Sequence, residues 1–320
     1  MSETNSNNKN SLRQRLAALI AAHPQMFGVI CAVLAMLFWS GNYIAARVFK
    51  ETISPGILVF WRAMLATLIL LPFALPYLKK DWPILRVNIK FLILGAVLGI
   101  TIPNILIYHA ARYSQVMNLS IVSLSSPLFV IILARIFFNE YLSLLRILGL
   151  TITIGGILLL LSKGDLHILI NLHFEKGDLI MFGNTLSFAI YTLLIRKMPK
   201  GISGMSFMLN ILLLGGFFTL PVMLWEVCTD GFVVFSVSLV AWFVYVSLFS
   251  SILGYACWNL GVAYIGSAKT SIIYYLLPVI CGIEGAILLD EPVLAIHIIS
   301  MALIIAGTVL AIHAKKPASK

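Results

Sequence analysis

Residues 120–140, SIVSLSSPLFVIILARIFFNE, and residues 271–291, SIIYYLLPVICGIEGAILLDE, decide the reading of this chain. Both are apolar runs that open on serine, hold a proline eight positions in and close on an acidic residue. At an offset of 151, Ser120 meets Ser271, Pro127 meets Pro278, Glu140 meets Glu291, and Tyr113 just upstream meets Tyr264. At an offset of 149, Arg47 meets Arg196 and Pro72 meets Pro221. Matches at two adjacent offsets, each at the same place within its run, mark an internal repeat.

Working outward, similar apolar stretches fill the rest of the 320 residues. The composition is 61% hydrophobic and 11% charged, with a mean hydropathy of +1.02; this excludes a soluble fold, which needs more charge to cover its surface. A membrane-spanning helix takes roughly 20 apolar residues. Ten such stretches occur, at 27–49, 53–78, 88–112, 116–138, 143–162, 178–198, 203–226, 239–263, 267–289 and 293–313. The expected fold is an all-α integral membrane protein whose helices satisfy their own backbone hydrogen bonds. The repeat divides it into a cytoplasmic N-terminal tail at 1–26, a first five-helix unit at 27–162, an external linker at 163–177, a second unit at 178–313 and a cytoplasmic tail at 314–320. Five is odd, so the second unit enters from the opposite side of the membrane, as in the inverted repeats of secondary transporters.

With the N-terminus inside, sixteen of the 22 Lys and Arg residues fall on the cytoplasmic side, five outside, and Arg62 within a span. That asymmetry places both termini in the cytoplasm. It also accounts for the net charge of +10, which attracts anionic lipid and requires no nucleic-acid partner. The tail's Leu12, Leu16 and Leu19 could form a short interfacial helix or remain frayed. Cys31, Cys228, Cys257 and Cys281 lie far apart without metal-binding or redox spacing, which predicts structural thiols and no metal or cofactor.

Candidate site residues come from polar faces inside spans. Proline removes a helical donor, so Pro127 and Pro278 should free the carbonyls of Ser123 and Tyr274 near mid-membrane. Asn104 and Tyr108 on the third stretch answer Tyr255 and Asn259 on the eighth with the same residue types in exchanged order. Trp39, Asn42 and Tyr43 on the first stretch are answered by Asn184, Ser187 and Tyr191 on the sixth. These faces read either as a cavity lining or as interhelical packing. Arg62 and Glu284 are the ionisable groups deep within spans; each is costly there, and both lie in the outer half, where they could pair. A small-molecule substrate and a proton as coupling ion follow as candidate ligands. Gly149, Gly155, Gly156, Ala306 and Gly307 permit close packing of the fifth and tenth stretches, as scaffold or as a homodimer contact.

The pattern resembles the drug/metabolite transporter superfamily, specifically its EamA-type ten-helix members. The resemblance rests on Phe38-Trp39-Ser40-Gly41-Asn42 with Arg47, on Arg62, on Ser125-Ser126-Pro127-Leu128-Phe129 leading to Asn139-Glu140, on Gly177-Asp178, and on Leu277-Pro278-Val279 leading to Asp290-Glu291. It covers the chain beyond residue 26. It implies a secondary carrier of the cytoplasmic (inner) membrane, often an exporter of amino acids or other small metabolites. Its cavity would be walled by helices 1–4 and 6–9, with helices 5 and 10 outside. Members also carry nucleotide sugars, phosphorylated sugars and cationic drugs, so a multidrug or organic-cation carrier is the alternative reading. Glu284 departs from the family pattern, which is small and apolar there. An intramembrane enzyme would need an HExxH motif, paired aspartates or a Ser/His dyad, and the sequence shows none; a non-transporting scaffold is the third reading.

Overall fold

The computed structural model describes residues 21–49, 53–110, 113, 122–140, 143–162, 165, 167, 176–231, 233, 236–288 and 295–313, with the side chains of 42–49, 161, 238, 282, 285, 286 and 288 outside that description. The expected tail helix at Leu12–Leu19 lies outside the described residues. All ten expected spans have a helical counterpart: α1 (Pro24–Phe49), α2 (Pro55–Val87), α3 (Ile89–Ala110), α4 (Ser126–Phe138), α5 (Leu144–Ser162), α6 (Lys176–Ile195), α7 (Gly204–Asp230), α8 (Val237–Tyr245, Val246–Gly254 and Tyr255–Ile265 in one run), α9 (Ser267–Ile273, Tyr274–Leu276 and Leu277–Leu288) and α10 (Ala295–His313). Seven are long and apolar enough to cross a membrane; α4, α5 and α9 contribute shorter apolar segments.

The helices pack as an inverted repeat would require: among the described residues, the main helix-to-helix contacts between the halves recur in exchanged order. α2 packs on α7, α5 on α10 and α4 on α9, each helix on its own repeat mate. α1 lies against α8 and α9, while α6 lies against α3 and α4. The α5–α10 pair owes its closeness to small residues: a Cβ on Gly149 would meet the Gly307 carbonyl at 2.7 Å, and one on Gly156 would meet Leu303 at 2.9 Å. A Cβ on Gly155 meets nothing within 4 Å.

The α2–α7 pair is fastened at both ends by carboxylates on helix N-termini, where unpaired backbone N–H groups and the helix dipole favour an anion. At one end Asp81 accepts from the Ser203 N–H and the Ser206 hydroxyl, each at 2.7 Å. At the other, Asp230 accepts from Ser54 Oγ, and Glu226 accepts from the Gly56 and Ile57 N–H groups at 2.6 and 3.1 Å. Ser54 and Ser203, like Asp81 and Asp230, stand 149 residues apart. This contact explains one departure from expectation. The charged stretch beyond 78 reads as a loop, yet α2 continues through Lys79, Lys80 and Pro83 to Val87, because Asp81 is buried and bonded against α7.

Two features centre the molecule. The middle turns of α3 (Val97–Thr101) and α8 (Val246–Gly254) widen into π-helix at repeat-equivalent positions. In α9, a single tight turn at Tyr274–Leu276 precedes Pro278. That turn corrects one expectation: the Tyr274 carbonyl is not left free, because the N–H of Leu277 reaches back to it.

Candidate functional site

The widened turns take carbonyls off the regular i+4 ladder, and side chains of the opposite half collect them. Trp39 Nε1 on α1 donates to the Ser250 carbonyl at 3.1 Å, and Ser187 Oγ on α6 donates to the Leu98 carbonyl at 3.1 Å. The Tyr255 hydroxyl crosses from α8 to the Gly99 carbonyl at 2.7 Å, and just past the widened turn Asn184 Nδ2 donates to the Pro103 carbonyl at 2.5 Å. Gly99 allows this closeness, since a Cβ there would lie 2.4 Å from the Tyr191 ring.

Between these elements lies a small cleft of about 90 Å³, open on one side to the outside. Trp39, Phe188, Tyr255 and Tyr274 form its aromatic wall, with Trp39 ring centroids 5.5 Å from Phe188 and Tyr255 and 6.4 Å from Tyr274. Asn104, Ser126, Asn184, Thr185 and Ser250 supply polar groups around it.

Arg62 lines the same cleft and is only 4% exposed. Hydroxyls hold its guanidinium: Nε donates to Ser251 Oγ at 3.0 Å, one terminal nitrogen to the Tyr108 hydroxyl at 3.4 Å and the other to Ser250 Oγ at 3.5 Å. The guanidinium thus stands beside the aromatic faces of the cleft, held in place by these hydroxyls.

Of the residues expected at the site, Trp39, Arg62, Asn104, Tyr255 and Tyr274 come together in the cleft wall. Tyr108 stands behind Arg62 and orients it. Tyr191 and Asn259 bond to each other at 3.1 Å, with Tyr191 fully buried, and Ser123 is buried beside the α4 proline; none of these three is among the cleft-lining residues. Asn42 and Tyr43 continue α1, and their side chains lie outside the description. Glu284 is outside the cleft lining, with its Oε1 2.7 Å from Ser40 Oγ. Among the described residues, no ion pair joins it to Arg62, so each charge has its own setting. The repeat could have revealed what the sequence reading missed: Phe188 lies 149 residues after Trp39, Ser250 lies 151 after Gly99, and Ser126 lies 151 before Leu277, which also lines the cleft.

Comparison with known proteins bears on the same architecture. The EamA-like transporter family matches twice, over residues 26–162 and 175–312. The chain belongs to the EamA-like transporter family. It is 26% identical to the uncharacterized transporter YyaM of Bacillus subtilis over 86% of this chain and 90% of that protein. Identity to the uncharacterized transporter YetK of the same organism is 22%, over 91% and 88%. The WAT1-related protein At1g25270 of Arabidopsis thaliana is 26% identical over 64% of this chain and 65% of its own. A solved crystal structure shares the fold with a TM-score of 0.73 at 15% identity, covering 89% of this chain and 96% of that one. The protein is thus a multi-pass membrane transporter.

Proposed function

We propose that this EamA-family member is a secondary carrier for a small zwitterionic metabolite, an amino acid or close analogue, held in the Arg62 cleft. One observation carries the reading: a buried guanidinium, oriented by neutral hydroxyls, lines a cleft beside four aromatic side chains. A guanidinium fork takes a carboxylate in two parallel hydrogen bonds. The aromatic faces cover an ammonium or an apolar side chain. The inverted repeat supports alternating access, because exchanging the conformations of two like halves opens one midplane site to each side in turn. The sixteen-to-five distribution of basic residues supports a cytoplasmic-membrane protein with both termini inside. Outward movement of a metabolite, without chemical conversion, is the reading we adopt.

The test is purified protein in proteoliposomes, assayed by counterflow of radiolabelled L-amino acids. Saturable exchange that a large excess of unlabelled substrate suppresses is expected. Absence of amino-acid exchange together with uptake of tetraphenylphosphonium would replace this reading with the organic-cation carrier, for which the aromatic wall alone would serve.

A further inference from the structure

Away from the cleft, the hydrogen bonding of Glu284 does not close. Its Oε1 lies 2.7 Å from Ser40 Oγ on α1, while Oε2 is enclosed with no hydrogen-bond partner among the described residues. The same Ser40 Oγ lies 2.7 Å from the Leu37 carbonyl. A hydroxyl has one hydrogen to give. Leu37 O can only accept, so both short contacts are satisfied together only when Glu284 brings a hydrogen of its own. With a proton on Oε1, Glu284 donates to Ser40 Oγ, and Ser40 donates to Leu37. Without that proton, Ser40 turns its hydrogen to Oε1, and Leu37 O keeps the N–H of its helix. One serine therefore serves both protonation states without rebuilding the helix.

The surroundings contain no described cation to hold a permanent carboxylate. α8 contributes Tyr245, whose hydroxyl lies 2.1 Å from the place a Cβ on Gly41 would take, next to Ser40 in the chain. α10 carries His297 in its first turn. α1 contributes Ser40, and its side chains beyond Gly41, Tyr43 and Arg47 included, lie outside the description. Arg62 gives its guanidinium to Ser250, Ser251 and Tyr108. A carboxylate with one oxygen unpaired costs several kcal/mol in a bilayer interior, and one proton removes that charge.

We propose that Glu284 is a proton-carrying site of the transport cycle, separate from the substrate cleft and coupled to it through the α1–α9 contact. Ser40 belongs to the first half of the repeat and Glu284 to the second, so relative motion of the halves makes or breaks their bond. One proton enters from water, converting carboxylate to carboxylic acid as α1 and α9 close. The same proton returns to water when the contact opens. Trp39, beside Ser40 on α1, lines the cleft, which ties that movement to substrate occupancy. Coupling rests on the carrier reading above; proton binding by Glu284 does not.

The experiment therefore has two arms. Infrared pH titration of the purified chain in lipid nanodiscs should show a protonated-carboxyl band that disappears as pH rises and is missing in Glu284→Gln. Ser40→Ala should move its frequency. A titrating band identical in the wild type and Glu284→Gln overturns the site. In proteoliposomes, an imposed pH gradient should stimulate amino-acid flux several-fold in the wild type and not at all in Glu284→Gln, with counterflow retained. Equal stimulation in both overturns the coupling. If the wild type exchanges no amino acid, the substrate class fails and the infrared arm alone judges the proton site. Should Glu284→Gln aggregate on size exclusion, Glu284→Asp replaces it, with a displaced titration expected and an unchanged one overturning the proposal.

Discussion

Arg62 and Glu284 are both ionisable groups within the helical bundle, yet the structure treats them oppositely. Arg62 donates to three hydroxyls from two other helices and lines the cleft. Glu284 has one hydroxyl, one unpartnered oxygen and no place in the cleft wall. Their repeat mates sharpen the contrast: 149 residues after Arg62 stands Ile211, and 151 before Glu284 stands Leu133. Ile211 is fully buried in the core. The duplicated residues thus build the scaffold, and the two charges stand where the duplication is broken. A cation held in position by several hydroxyls suits a fixed ligand anchor, whereas a half-bonded carboxyl suits a group that changes state.

Restoring the symmetry at each position is the strongest way to break this contrast. Arg62→Ile should weaken amino-acid exchange by about 10- to 100-fold or more, because each hydrogen bond from a charged group contributes about 1.5–3 kcal/mol; half-saturation in counterflow measures it. Glu284→Leu should act in the opposite sense on stability. An apolar side chain there removes the cost of enclosing a carboxyl oxygen that has no hydrogen-bond partner, so thermal unfolding should stay level or rise. A large loss of stability in Glu284→Leu with none in Arg62→Ile would reverse the roles assigned to the two groups.

Smaller effects sharpen the picture. Trp39→Phe, which copies the repeat mate Phe188, removes the bond to the Ser250 carbonyl but keeps a ring in the wall. It should weaken exchange about fivefold, the worth of a hydrogen bond of about 1 kcal/mol. Glu140→Gln provides the lower mark. Glu140 pairs with Arg196 where the two side chains are 19% and 26% exposed, a setting that contributes about 0–1 kcal/mol. Its unfolding temperature should change by no more than a few degrees.

The helices were legible because each apolar run must bury its own backbone in lipid, and the positions of ten such runs scarcely depend on one another. Trp39, Arg62, Asn104, Tyr255 and Tyr274 were legible as cleft residues because a polar or aromatic side chain in mid-span needs a partner or a cavity. The continuation of α2 through Asp81 was not, since it depends on the Ser203 N–H and the Ser206 hydroxyl, 122 and 125 residues away. Nor were the π-helical turns of α3 and α8, whose loosened carbonyls are collected by Trp39, Ser187 and Tyr255 from other helices.

The sequence by itself determined the all-helical membrane fold, its duplication and the two ionisable groups that have no counterpart in the other half. All three are properties of composition, spacing and self-comparison along one chain. Only the tertiary structure decided that Arg62 and Glu284 occupy separate settings, because the partner of a buried charge is chosen by whichever helix packs against it. Serines 188 and 189 residues from Arg62, and one 244 residues from Glu284, are brought into contact by packing alone.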